Sequence, residues 1–482
     1  MKKFTISMLL PLFLQLTAFS QSNFEECTIG VATGSATQDG RPLVWKTRDT
    51  DVTNNEAKFI TAFTYNYVCV ANAGSSSIPW MGLNEHGLAI LNSMIYDLPS
   101  SGSGPGNGTV MRYTLGNCVT IDDFQYYLDS TNITGRTTTA NFAVMDSTGA
   151  VAIFETGGND YVKFDGAASP NGYIVRTNFS ITGGGNAGIQ RYNRSSALIS
   201  DFHSGDSLNH KSILRYQMRD FSDASSQPYP VPYPYQVHPS IPYGYFNTNL
   251  SICRDMSVST VVIQGILSDE KPELSAMWTM LGHPAAAIAV PYWPVGETPI
   301  YSNGIPTAAL CNIAKDIREV LFECADWPEY INSFRLRDGE AGGLWECTFP
   351  EEDLILESAE TLLNEWRNLD SIPVTEMLAA EDDFAETAYY SLVSCYDILV
   401  GSKQFRGNDE FKLYPNPVDD YLKISIAQGL EIDEIIIYNQ LGQKVLRDNS
   451  KDQILDVSSL PSGLYVIGVV CGERRFIGKF IK

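Results

Sequence analysis

Short alternating runs, too short for helices, recur across residues 27–300, which are rich in Gly, Ser, Thr, Tyr and Val. Residues 28–31, 42–45, 89–94, 142–145, 151–155 and 173–176 all read this way. That period puts successive side chains on opposite faces of a strand, so each run has one face to bury. Turn signals separate the runs: Asp39-Gly40, Glu85-His86-Gly87, Ser147-Thr148-Gly149 and Asp165-Gly166. These runs therefore read as short strands joined by turns. Residues 208–222 and 268–282 read as helical exceptions. Residues 228–245, YPVPYPYQVHPSIPYGYF, hold too much proline for a regular helix or a central strand. They read as a surface loop or as an aromatic flap beside a pocket.

The pattern changes after Pro306. Residues 308–322, 351–369 and 374–399 show helical periodicity with many Glu and Ala, giving a helical extension over 306–400. It is expected to cover a sheet or to form a dimer surface. Residues 401–410 are polar and read as a linker. Short alternating runs return in 411–482.

The first twenty residues have the layout of a signal peptide. Lys2 and Lys3 precede an apolar run over 9–19, and Ala18 and Ser20 are small residues suited to a cut before Gln21. No other stretch is apolar for long enough to span a bilayer. Residues 21–26 would then be a short propeptide. Lys and Arg number 33 against 56 Asp and Glu, a net charge of −23. So acidic a chain argues against nucleic acid or an anionic membrane surface as partner. In an exported protein most of the nine cysteines could pair; nine is odd, so at least one stays unpaired unless a link is intermolecular, and the sequence does not fix the pairing. No CxxC pair occurs and only five histidines are present, so neither a metal site nor an organic cofactor is expected.

Residues 411–482 resemble the type A C-terminal sorting domain of the type IX secretion system of Bacteroidetes. The markers are LYPNP at 413–417, YLKIS at 421–425, IIIYNQLGQKV at 435–445, LPSGLYVIGV at 460–469 and the terminal GKFIK. The resemblance implies a small β-sandwich handled by secretion machinery, hence a secreted or cell-surface protein.

Cys27 follows the expected propeptide directly. Freed at its nitrogen, it would hold a nucleophile and a base in one residue, since an α-amino group has a pKa of roughly 8. No catalytic histidine is then needed. Without such a cut, Cys27 reads as half of a disulfide. The sequence that follows, CTIGVATGSATQDGRPLVWKTRDTD, runs strand, Asp-Gly turn, strand, charged end. It resembles the opening of the N-terminal nucleophile hydrolases of the choloylglycine hydrolase and penicillin acylase group. The C45-type branch, with isopenicillin-N acyltransferase and carcinine hydrolase, is most similar. The resemblance spans roughly residues 27–300. It implies an α+β fold, a four-layer αββα sandwich, followed here by the helical extension and the small all-β sandwich.

The resemblance also implies a site. A basic/Asn/x/Asp segment matches Lys46-Thr47-Arg48-Asp49, which makes Asp49 the carboxylate beside the nucleophile; the register Arg48-Asp49-Thr50-Asp51 leaves Asp51 as the alternative. WMGLNEHGLAILNS places a hairpin turn at Asn84, Glu85 and Gly87 and an oxyanion donor at Asn92. NFAVMDSTGAVAIFETGGNDYV reads as scaffold. GYIVRTNF ends in Asn178, whose side-chain N–H would meet the oxyanion. IQRYNRSSALI supplies an arginine near the nucleophile, Arg191 with Arg194 as alternate. The activity implied is cleavage of a linear amide of a small molecule through a thioester on Cys27, by hydrolysis or by acyl transfer. A C69-type dipeptidase has a similar opening. An exported binding or adhesion protein with the same fold is the reading from another class.

Overall fold

The structure is a computed structural model that describes residues 26–61, 63–74, 78–222, 239–242, 244–324, 326–337, 343–405, 411–426, 431–439, 444–448, 452–471 and 474–482. The expected signal peptide, residues 21–25 of the expected propeptide, most of the Pro/Tyr segment and residues 406–410 lie outside the described residues.

β1 (Glu26–Ala32) and β2 (Leu43–Asp49) form the first hairpin, with Glu26 opposite Asp49 and Cys27 opposite Arg48. Gly30 lies opposite Trp45, whose ring takes the space of a side chain: a Cβ on Gly30 would fall 2.2 Å from Trp45 Cζ2. β3 (Asn55–Ile60), β4 (Tyr67–Asn72), β5 (Pro79–Asn84), β6 (Ala89–Met94), β7 (Ala140–Met145), β8 (Val151–Thr156) and β9 (Tyr161–Asp165) follow as an antiparallel meander in chain order. The 84–88 turn is held by Asn84, whose Oδ1 accepts from the backbone N–H groups of His86 and Leu88. Two helices interrupt the meander after β6, α1 (Asn107–Asn117) and α2 (Ile121–Thr134). α2 opens with a capping box between Thr120 and Asp123, which satisfies two of its free N-terminal N–H groups.

β10 (Tyr173–Arg176) returns to pair with β1, and α3 (Ile189–Ser204) follows. Residues 208–222 hold only a short turn, α4 (His210–Ser212), and one π turn over Ile213–Gln217. β11 (Tyr245–Asn247) precedes β12 (Ser257–Gln264), β13 (Ala276–Leu281) and β14 (Val290–Tyr292). The six-stranded sheet runs β10-β1-β2-β12-β13-β14. Residues 268–282, expected as helix, contain β13 instead. AMWTML is buried at every position, and a run covered on both faces shows no alternation to distinguish it from a buried helix.

α5 (Ala309–Leu321), β15 (Tyr330–Asn332), α6 (Ser333–Leu336), α7 (Leu344–Trp366) and α8 (Val374–Phe405) complete this part, with β15 paired to β11. β1 and β2 pack on β6 and β7, so the two large sheets face each other. α1 lies on β5 and β6 from outside; α3 lies on β1 and β10, α5 on β13, and α7 and α8 on β14. Helix, sheet, sheet, helix is the αββα order. The helical stretch after residue 306 is therefore part of the outer cover of the six-stranded sheet.

The last strands are β16 (Phe411–Tyr414), β17 (Tyr421–Ile426), β18 (Glu434–Tyr438), β19 (Lys444–Asp448), β20 (Ile454–Asp456), β21 (Leu464–Cys471) and β22 (Arg474–Ile481). They form sheets β16-β17-β20 and β19-β18-β21-β22 around Leu422, Ile424, Ile435, Ile437, Ile467 and Val469. Two of the nine cysteines pair. Cys347 and Cys395 join α7 to α8, and the other seven are thiols, six of them buried. Packed this way, they act as small apolar groups.

Candidate active site

β1 pairs with β10 only from Ile29 onward, opposite Arg176. Beyond that point β10 gives way to Thr177-Asn178, and a side chain replaces the missing ladder partner. The backbone N–H of Cys27 donates to Asn178 Oδ1 at 2.9 Å. Asn178 Nδ2 donates to the Met94 carbonyl at 3.0 Å. Asn178 thus lies beside Cys27 and presents its carbonyl oxygen there, not the side-chain N–H.

Residues opposite one another in a ladder share a face. Cys27, Arg48 and Lys46 therefore look toward the seven-stranded sheet. Arg48 is fully buried, lies 4.6 Å over the Trp80 ring and donates to Asn55 Oδ1 at 2.7 Å. Lys46 Nζ crosses between the sheets to the Trp80 carbonyl at 3.1 Å and to Asn92 Oδ1 at 2.8 Å. Asn92 is fully buried, and its Nδ2 makes no hydrogen bond among the described residues. That leaves a buried amide donor open.

Glu26, Asp49 and Ser257 are register partners on the opposite face, toward α3. Asp49 Oδ1 accepts from Ser257 Oγ at 2.7 Å, while Oδ2 has no hydrogen-bond partner among the described residues. Burial pushes this carboxyl up to about 7, against the pull of Arg191, Arg254 and the Ser257 bond; Glu26 pushes it further in the same upward direction. A carboxyl that titrates near neutrality suits proton transfer. Asp51, the alternative, is exposed, because β2 ends at Asp49.

Arg191 rises from the first turn of α3. Its Nη1 donates to the Cys27 carbonyl at 2.8 Å and to Thr28 Oγ1 at 3.2 Å. Its Nη2 reaches Asn178 Oδ1 at 3.0 Å and Glu26 Oε2 at 3.1 Å. Gly188, at φ +75°, makes room for it: a Cβ there would sit 2.5 Å from Arg191 Nη2. Arg194, the alternate, is held instead by Asp220 through bonds of 3.0 and 2.8 Å.

Two participants escaped the sequence reading. Ser257 opens β12 and bonds Asp49, and Arg254, just before it, forms an ion pair with Glu26. They come from a strand some 200 positions away, and no local motif marks them. Among the described residues no group of three or more His, Cys, Asp or Glu side chains is arranged to hold a metal ion. No helix among them is long and apolar enough to cross a membrane.

The Acyl-coenzyme A:6-aminopenicillanic acid acyl-transferase family model matches residues 36–237, a span that opens just past Cys27. The secretion system C-terminal sorting domain model matches residues 412–482. No curated protein matches the chain. Among solved structures, penicillin V acylase from Agrobacterium tumefaciens is 19% identical, covering 55% of this chain and 85% of its own, at a TM-score of 0.35. A mutant conjugated bile acid hydrolase from Clostridium perfringens is 13% identical, covering 53% and 89%, at 0.33. An N-acylethanolamine-hydrolyzing acid amidase ortholog from Caenorhabditis elegans is 14% identical, covering 49% and 92%, at 0.29. These likenesses concern the fold alone. Residues 36–237 are thus similar to the acyl-transferase family and residues 412–482 to the C-terminal secretion sorting domain.

Proposed function

We propose that the protein is a secreted or cell-surface amidohydrolase or acyltransferase whose nucleophile is Cys27, freed at its nitrogen by removal of the residues before it. One observation carries this reading. The peptide nitrogen of Cys27 is bound by a side chain, Asn178 Oδ1, where a strand residue would ordinarily meet a backbone carbonyl. That contact serves an amine as well as it serves an amide.

Maturation follows from the same atoms. The Cys27 sulfur attacks the Glu26 carbonyl carbon, the C–N bond breaks, and the nitrogen leaves as an amine carrying the thiol proton. Water then cleaves the thioester, releasing the Glu26 carboxylate and restoring the thiol. Asp49, poised near neutrality, takes up and returns protons at the amine. Arg191 fixes the Cys27 carbonyl, and Asn178 fixes its nitrogen. The buried cations Arg48 and Lys46 lie on the sulfur's side of the strand. Asn92 Nδ2 supplies an open donor for the oxyanion.

With a substrate, the sulfur attacks the carbonyl of a linear amide, and the α-amine passes its proton to the leaving amine. Water resolves the thioester in hydrolysis; an acceptor amine resolves it in acyl transfer. Residues 412–482, with the signal peptide read in residues 1–20, address the protein for export.

Intact mass of the exported protein tests the proposal. A chain that begins at Cys27 is expected, and Cys27→Ala is expected to keep the preceding residues. Active material in which Glu26 remains bonded to Cys27 overturns it.

A further inference from the structure

Glu26 is the residue that maturation removes, and its carboxylate already occupies a built site. It pairs with Arg191 Nη2 at 3.1 Å and with Arg254 Nη1. The two arginines differ in what remains when Glu26 leaves. Arg191 keeps the Cys27 carbonyl, Thr28 Oγ1 and Asn178 Oδ1. Arg254 loses its one side-chain ion pair among the described residues, and its Nε is already buried without a hydrogen-bond partner. With Glu26 in place Arg254 is 9% exposed, and removal of Glu26 opens its guanidinium to a ligand. Asp49 and Asp255 act on it electrostatically without forming an ion pair with it.

Resting on the proposed maturation, we propose that Arg254 is the specificity residue of the mature site, binding a carboxylate at the far end of the substrate's acyl group. The self-cleavage intermediate fixes the length. In it Glu26 is the acyl group on the Cys27 sulfur, and in the uncut chain the carboxylate of that same residue pairs with Arg254. Three carbons separate the Glu26 carbonyl carbon from that carboxylate carbon. A glutaryl amide, or an α-glutamyl amide, repeats this spacing; a monocarboxylic acyl group offers Arg254 no carboxylate in place of Glu26. Anion recognition by a desolvated guanidinium is both strong and directional, so the preference falls on the acyl side of the scissile bond.

The test uses the full mature protein, with its N-terminus established by intact mass. Calorimetry compares glutarate with pentanoate, which has the same chain length and lacks the second carboxylate. Turnover compares glutaryl, pentanoyl and pentanoyl-glutamate amides. Glutarate is expected to bind about 10- to 100-fold more tightly than pentanoate, with a like ratio of kcat/KM. Arg254→Gln is expected to bring both ratios close to one, and Arg254→Lys to keep part of each. Equal binding of the two acids by the wild-type chain beginning at Cys27 overturns the site alone. So does a preference that follows the carboxylate of the leaving glutamate, or a ratio unchanged in Arg254→Gln. A chain that retains Glu26 overturns the maturation reading, and this site with it.

Discussion

The chain contains two β-sandwiches that bury opposite kinds of side chain. In the first, Lys46, Arg48, Asp49, Asn92, Asn178 and Arg191 are all 1% exposed or less. In the second, every buried side chain among the described residues is apolar, from Val418 to Phe480. Burying a charge costs several kcal/mol unless it is paired and hydrogen-bonded, so a fold accumulates such groups where chemistry requires them. The sorting region shows no such need; it has only to hold its shape. The first sandwich meets the cost by tying its polar groups together around Cys27, and it leaves Asn92 Nδ2 and Asp49 Oδ2 open.

Substitutions break this contrast in graded ways. Cys27→Ala is expected to lower amide turnover by about 1000-fold or more while the chain stays folded, measured by kcat on the best substrate and by circular dichroism. Asn92→Ala is expected to cost about 100- to 1000-fold in kcat, the usual effect of losing one oxyanion donor. A fall in KM affinity without a fall in kcat would move Asn92 out of that role. Ile467→Ala, in the core of the second sandwich, is expected to destabilise that region by about 2–3 kcal/mol and to leave kcat unchanged. Denaturant melts followed beside activity separate the two effects.

Asp49→Asn gives the smallest effect and the one tied to pH. The folded carboxyl titrates at about 7, above its ordinary 3.8. Between these values the unfolded chain gives up the proton and the folded chain keeps it, so this group makes stability fall as pH rises. The slope is at most about 1.4 kcal/mol per pH unit. Measured in the uncut Cys27→Ala chain, that fall is expected to disappear in Asp49→Asn. An identical pH dependence in both chains would show that Asp49 titrates in its ordinary range.

Where sequence distance is short, the residues alone carried the reading. The runs 28–31 and 42–45 flank the Asp39-Gly40 turn, and a connection this short joins neighbouring strands only as an antiparallel pair, the β1–β2 hairpin. That hairpin already aligns Cys27 with Arg48 and sets Asp49 one step along. The markers of the sorting region are equally local, since each strand and its turn lie within a few residues. β13 was misread for a related reason: covered on both faces, it carries no periodic signal.

Tertiary structure decided what distant segments bring to one point. It buried Asp49 and left Asp51 exposed beyond the end of β2, and it gave Arg194 to Asp220 while bringing Arg191 to the Cys27 carbonyl. It turned the carbonyl of Asn178 toward Cys27, and it brought Arg254 and Ser257 beside Glu26 and Asp49 from a strand some 200 positions on. A chain's local pattern specifies which face of each strand is buried. Which charges then meet depends on how the strands are ordered across the sheet, and burial and pairing of those charges are settled only there.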